Sequence, residues 1–157
     1  MAQPETVRKV VVPLLREHGF RQVRADSWAR HSPETIVVIN SQHSNYSKKY
    51  YINVAVWLLP LGEPMQVREE LFHLRLRMEA LLPERRQEIE ELFDFERTDI
   101  AEQDRDRRVW KLFNDEAIPM LLKWDTLTVV RAAYKNGVFK QGFVHRTARA
   151  LLEARAE

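Results

Sequence analysis

The sequence predicts an α+β domain: an N-terminal helix, an antiparallel meander of four or five strands, and later helices packed on one face of the sheet. Three observations predict it. Residues 35–59 hold the densest β-branched and aromatic runs of the chain, placed on either side of a polar loop. Two shorter strand-like runs precede them, separated by turn residues. Apolar residues recur at three- and four-residue steps only before residue 20 and after residue 60. Strands early and helices late argue against a βαβ parallel sheet. At 157 residues the chain suits one domain, residues 1–157, with a core large enough to need no disulfide or metal.

Each element has its own signal. Val7, Val10, Val11, Leu14 and Leu15 repeat at helical spacing up to Gly19, a helix stop, and Pro13 inside that pattern predicts a kink or local break. Residues 21–24 and 27–31 flank an Ala25-Asp26 turn, and Ser32-Pro33-Glu34 turns the chain into residues 35–59. In the last run, Tyr50, Ile52, Val54, Val56 and Leu58 point to one face and are core. Tyr51, Asn53, Ala55, Trp57 and Leu59 point to the other, which either sits under a helix or lines a groove.

After Pro60 and Pro64, the stripe Val67, Leu71, Leu74, Met78 and Leu81 predicts a helix across the sheet, ended by Pro83. Residues 84–95 read as a short amphipathic helix using Ile89, Leu92 and Phe93. Residues 99–108 read as a polar connecting loop and residues 109–113 as a fifth strand. Asn114 or Asp115 then caps a helix with Pro119 in its first turn. A further helix restarts at Asp125 or Thr126 and stops at Asn136-Gly137, and Val144, Ala148, Leu151 and Leu152 mark a terminal helix.

Composition narrows the function classes. Hydrophobic residues make up 45% and charged residues 31%, the balance of a folded soluble domain. The absence of cysteine removes thiolate chemistry and disulfides, and cytoplasm is the expected location. No apolar run approaches the length of a membrane span, so no membrane partner is expected. The net charge is only +2 despite a pI near 9.0. Its distribution is uneven: residues 88–106 are mostly acidic, whereas residues 131–155 carry Arg131, Lys135, Lys140, Arg146, Arg149 and Arg155 against Glu153. The two blocks are expected to neutralise one another, with a partner surface as the other reading.

Pro13-Leu14-Leu15 through His18-Gly19-Phe20, then Trp28-Ala29-Arg30, residues 37–44 and Tyr51-Ile52-Asn53-Val54 resemble the family known as domain of unknown function 4304. That family has a helix ending in a Gly-Phe pair, an aromatic-containing strand, a strand entering a Ser/Gln-type loop, and a strand with an Ile-Asn pattern. The resemblance is best over residues 7–59, and Trp110 matches a later tryptophan-bearing segment more loosely. It implies a fold and no activity.

The candidate site is the loop Ser41-Gln42-His43-Ser44-Asn45-Tyr46-Ser47 with the adjacent Tyr51, Asn53 and Trp57 face. Its hydroxyls, amides and imidazole suit a polar ligand, although Ser and Asn equally serve as turn residues. The leading expectation is a non-catalytic binding or interaction module for an unknown protein or small-molecule ligand. One alternative is a hydrolase with His43 as acid or base and Ser41 or Ser44 as nucleophile, although no G-x-S-x-G elbow supports it. Another is single-stranded nucleic-acid binding through Lys48, Lys49, Tyr50 and nearby rings. A lone Glu70-x-x-His73 is insufficient for a metal site, and the four glycines form no phosphate loop, so no metal or cofactor is expected.

Overall fold

The computed structural model describes residues 3–154, so Arg155 of the basic block lies outside the described residues. Six strands form one antiparallel sheet in sequential order: β1 (Arg21–Arg24), β2 (Ser27–His31), β3 (Thr35–His43), β4 (Tyr50–Leu58), β5 (Leu74–Arg77) and β6 (Phe143–Val144). The predicted four-strand meander is present, with two short strands added at its far edge.

The alternation in β4 divides the molecule. Ile52, Val54, Val56 and Leu58 join Val37 and Ile39 of β3 in the main core, and every helix that buries apolar residues packs on that face. The buried rings of Phe20, Trp28, Phe93, Phe113 and Phe139 fill the space between sheet and helices. Each contributes on the order of 2 kcal/mol through the apolar area removed from water. Among the described residues no α-helix covers the other face. There Ala29, Ile36, Val38 and Ala55 are covered at one end by the strap of residues 59–72, through Phe72 and Val67.

Prolines shape both long helical runs. A π-turn at Val7–Val11 precedes α1 (Val12–Glu17), and a second at Leu112–Ala117 joins α4 (Glu102–Lys111) to α5 (Ile118–Leu122). Pro13 and Pro119 each follow such a turn. A proline has no N–H for the carbonyl four residues back and its ring crowds that carbonyl, so the wider turn is where the helix accommodates it. The break expected at Pro13 is therefore this local widening. Thr6 Oγ1 donates to Asp106 at 2.6 Å and Lys9 Nζ pairs with the same carboxylate at 3.3 Å, fixing the first helix to α4.

Four sequence readings are corrected. The predicted helix over residues 67–81 is instead the end of the strap, strand β5 and a single turn, α2 (Met78–Leu81). In Leu74-Arg75-Leu76-Arg77 the leucines are buried, Arg75 is half-buried and Arg77 exposed, a period of two that the longer stripe masked. Residues 109–113 are helical, because Val109, Leu112 and Phe113 bury one side at steps of three and four while Trp110 stays exposed. The predicted loop at 99–108 is mostly the start of α4. The remaining helices are α3 (Arg86–Leu92), α6 (Leu127–Lys135) and α7 (Arg146–Glu153), and Val144, placed in the terminal helix from sequence, belongs to β6. Among the described residues no helix is long and apolar enough to cross a membrane.

β6 depends on Gly142. A Cβ at this position would lie 2.3 Å from the Arg75 carbonyl oxygen and 2.8 Å from the Leu76 Cβ. Gly142→Ala is expected to cost about 1–3 kcal/mol through overpacking. The same substitution should push β6 off β5, read as faster hydrogen exchange at Phe143 and at the His145 amide, which donates to the His73 carbonyl at 2.7 Å.

Candidate functional site

The residues singled out from sequence do not form one cluster. Cross-strand register places Ser41 opposite Ile52 and His43 opposite Tyr50, on the helix-covered face. Gln42 lies opposite Tyr51 and Asn40 opposite Asn53, on the helix-free face. Adjacent strand residues point to opposite faces, so the sheet itself separates His43 from Tyr51, Asn53 and Trp57. Tyr50 is buried against the helices, its ring 4.9 Å from that of His43 and 5.7 Å from that of Phe95, so it presents no face for base stacking.

The loop after β3 is a built turn. Ser44 Oγ accepts from the Tyr46 N–H at 3.1 Å and Ser47 Oγ accepts from the Lys49 N–H at 3.3 Å, each closing a local turn as such residues do. Lys49 O accepts from Ser44 N at 2.8 Å, and residues 48–50 then pair with the chain after α3: Phe95 N donates to Lys48 O and Tyr50 N to Phe93 O. Asn45 and Tyr46 project into solvent.

On the helix-free face, one rung across four strands is polar: Ser27, Asn40, Asn53 and Arg77 lie in register. Asn40 Nδ2 donates to Ser27 Oγ at 3.0 Å, and Asn53 Nδ2 donates to Asn40 Oδ1 and Gln42 Oε1, both at 2.9 Å. The buried Asn53 amide thus has partners, which its burial requires. Trp57 is at the strap end, donating Nε1–H to the Gly62 carbonyl at 2.7 Å and stacking on His73 with centroids 4.0 Å apart.

Between this rung and β6 lies a groove of about 540 Å³. Lys49, Tyr51, Asn53, Arg75 and Arg77 form its floor, Glu69 of the strap and Phe143 of β6 its sides, and Glu79, Arg86 and Glu90 its far end. Two guanidinium groups are held by rings: Arg77 Cζ stands 3.8 Å from the Tyr51 centroid and Arg75 Cζ 4.4 Å from that of Phe143. Such stacking orients the guanidinium plane while leaving its N–H edge free for an acceptor. Among the described residues Lys49, Arg75, Arg77 and Arg86 form no ion pair, and Arg75 Nε is buried without a hydrogen-bond partner. Burial raises the Glu69 carboxyl above its ordinary value against the opposing pull of Arg75, and burial likewise raises Glu79. The groove therefore sets cations beside two carboxyls whose proton affinity burial increases.

Glu70 and His73 do not share a helical turn. Glu70 pairs with Arg68 at 2.6 Å on the strap, while His73 is buried beneath Trp57. Sequence reasoning missed Glu69, Arg75, Arg77 and Phe143; the leucine-arginine alternation of β5 was a local signal for the two arginines, and nothing local marked Glu69 or Phe143.

The fold and the groove define a two-layer α+β domain with a ligand-sized depression on the helix-free side of a meander sheet. The chain belongs to the family described as Domain of unknown function (DUF4304), whose model matches residues 11–122. The match runs past the N-terminal region where the resemblance was best and includes Trp110, while α6, β6 and α7 lie outside it. No curated protein and no solved structure matches the chain.

Proposed function

We propose that the protein is a non-catalytic binding module whose ligand site is the groove beside β4 and β5. One observation carries this reading: two ring-stacked arginines and a lysine converge on a single concavity with no ion pair of their own among the described residues. Orienting charged groups before a ligand arrives reduces what binding must spend on ordering them. The volume suits a small charged molecule. The 41–49 loop contributes Lys49 to the site, while Ser44 and Ser47 serve its turns.

The test is a fragment screen by amide chemical shifts on labelled protein. Binders should perturb Tyr51, Asn53, Arg75, Arg77 and Phe143 together, and Arg77→Ala should weaken them about tenfold, the loss of one charge-assisted contact. Binders that map to residues 41–46, or that ignore Arg77→Ala, would overturn the reading.

A further inference from the structure

We infer that the unit following the family-matched region carries a second site, a cleft for a phosphate-bearing anion held by Lys135, Lys140 and Arg149. Among the described residues no ion pair joins the acidic block to the basic one. Six of the nine acidic residues between 88 and 106 find other partners: Glu88 and Asp104 pair with Arg108, Glu91 and Asp99 with Arg97, and Glu102 and Asp106 with Lys9. Among the described residues Arg131, Lys135, Lys140, Arg146 and Arg149 form no ion pair.

Three of these cations converge. Lys135 ends α6, Lys140 lies on the turn after Gly137, and Arg149 stands on α7, and together they line a cleft of about 370 Å³ with no carboxylate among the described residues of its walls. Glu153 stands outside the lining, its Oε1 accepting from the Tyr134 hydroxyl at 2.5 Å. The cleft is framed firmly. Gly137 turns the chain with φ of 84°, a left-handed conformation that favours glycine, and Phe139 is buried against Trp124 with ring centroids 5.1 Å apart. By contrast, the groove of the proposed binding module mixes cations with three carboxylates. A cleft walled by one sign of charge focuses potential and concentrates counter-ions, and oligophosphates match three separated cations better than a single carboxylate does.

The experiment uses the full chain and two probes of the same chemistry: sodium tripolyphosphate by calorimetry and a fluorescein-labelled oligothymidine strand by anisotropy. At least one should bind at low salt, and whichever does identifies the source of the phosphate. Neutralising three phosphates of a single strand gives a logarithmic salt slope near −2, a loss of about tenfold to twentyfold between about 50 and 200 mM salt. Lys140→Glu combined with Arg149→Glu should abolish binding, Lys140→Arg with Arg149→Lys should retain it, and Arg77→Ala in the other groove should leave it unchanged. Circular dichroism checks that the variants fold. No binding of either probe at low salt, binding that survives the double charge reversal, or binding lost with Arg77→Ala would each overturn the assignment.

Discussion

Arg105→Met is expected to destabilise the protein by about 3 kcal/mol, measured by urea denaturation near neutral pH. Arg105 is 5% exposed, yet among the described residues no carboxylate pairs with it. Its guanidinium instead serves main-chain carbonyls at and beyond the end of α3. Nη1 donates to Leu92 O and, at 3.4 Å, to Glu91 O, while Nη2 donates to Asp94 O at 3.4 Å and Arg97 O at 3.1 Å. The last carbonyls of a helix lack internal donors and carry partial negative charge, so a buried cation fits there. Burial lowers the Arg105 pKa, with Asp94 opposing that shift, but an arginine keeps its proton in a protein. Methionine matches much of the volume and removes every donor, leaving several carbonyls short. Lysine at this position should recover only part of the loss, because one ammonium cannot span the four acceptors. The effect should reach the other side of the domain: residues 48–50 pair with residues 93–95, so exchange at the Tyr50 and Phe95 amides should quicken. A loss under about 1 kcal/mol would mean that water satisfies these carbonyls instead.

Arg105 also shows why parts of the fold were hidden in the sequence. The meander was legible because each strand is short, alternates and is bounded by Ala25-Asp26, Ser32-Pro33-Glu34 or the 44–49 loop, and hairpin pairing is local. Residues 99–113 were not. With Arg105 counted as a surface residue, the inward stripe of α4 had no member until Val109, and the Val-Trp-Lys-Leu-Phe run then looked like a strand. The stripe from Val67 to Leu81 met a helical template by spacing alone, and local pattern could not oppose it, because β5 becomes a strand by pairing with β4 at Asn53, Val54, Ala55 and Val56. That error hid the groove as well. Arg75 and Arg77 reach Phe143 and Tyr51 only once β5 enters the sheet, whereas Tyr51 and Asn53 were visible from the alternation of β4 itself.

Acidification should weaken the strap through His73. This imidazole is 7% exposed, accepts the Leu58 N–H at Nδ1 at 3.0 Å and lies against Trp57. Its proton in the neutral form therefore sits on Nε2. Burial, with a smaller contribution from His145, lowers its pKa to about 4 from an ordinary 6.5. The unfolded chain then takes up a proton near pH 6.5 that the folded protein refuses until about pH 4. Stability from this group is complete above pH 6.5 and falls as pH decreases through that window, by about 2.5 kcal/mol at pH 4.5. Glu69 and Glu79 act in the opposite sense: their raised folded values make the folded state bind protons first, so they add stability as pH falls. The His73 contribution must therefore be isolated by comparison with His73→Asn, whose amide oxygen keeps an acceptor for Leu58 and does not titrate in this range. The variant should be weaker at neutral pH through lost stacking on Trp57, and its stability should fall less toward pH 4.5. Parallel curves for the two proteins would exclude His73 as the acid-sensitive group. The local consequence follows from the bond itself. Once Nδ1 is protonated it can no longer accept, the Leu58 N–H at the end of β4 loses its partner, and the strap that carries Glu69 is released from the sheet. Exchange at Leu58 should rise before global unfolding, and the groove should lose one wall in the same pH range.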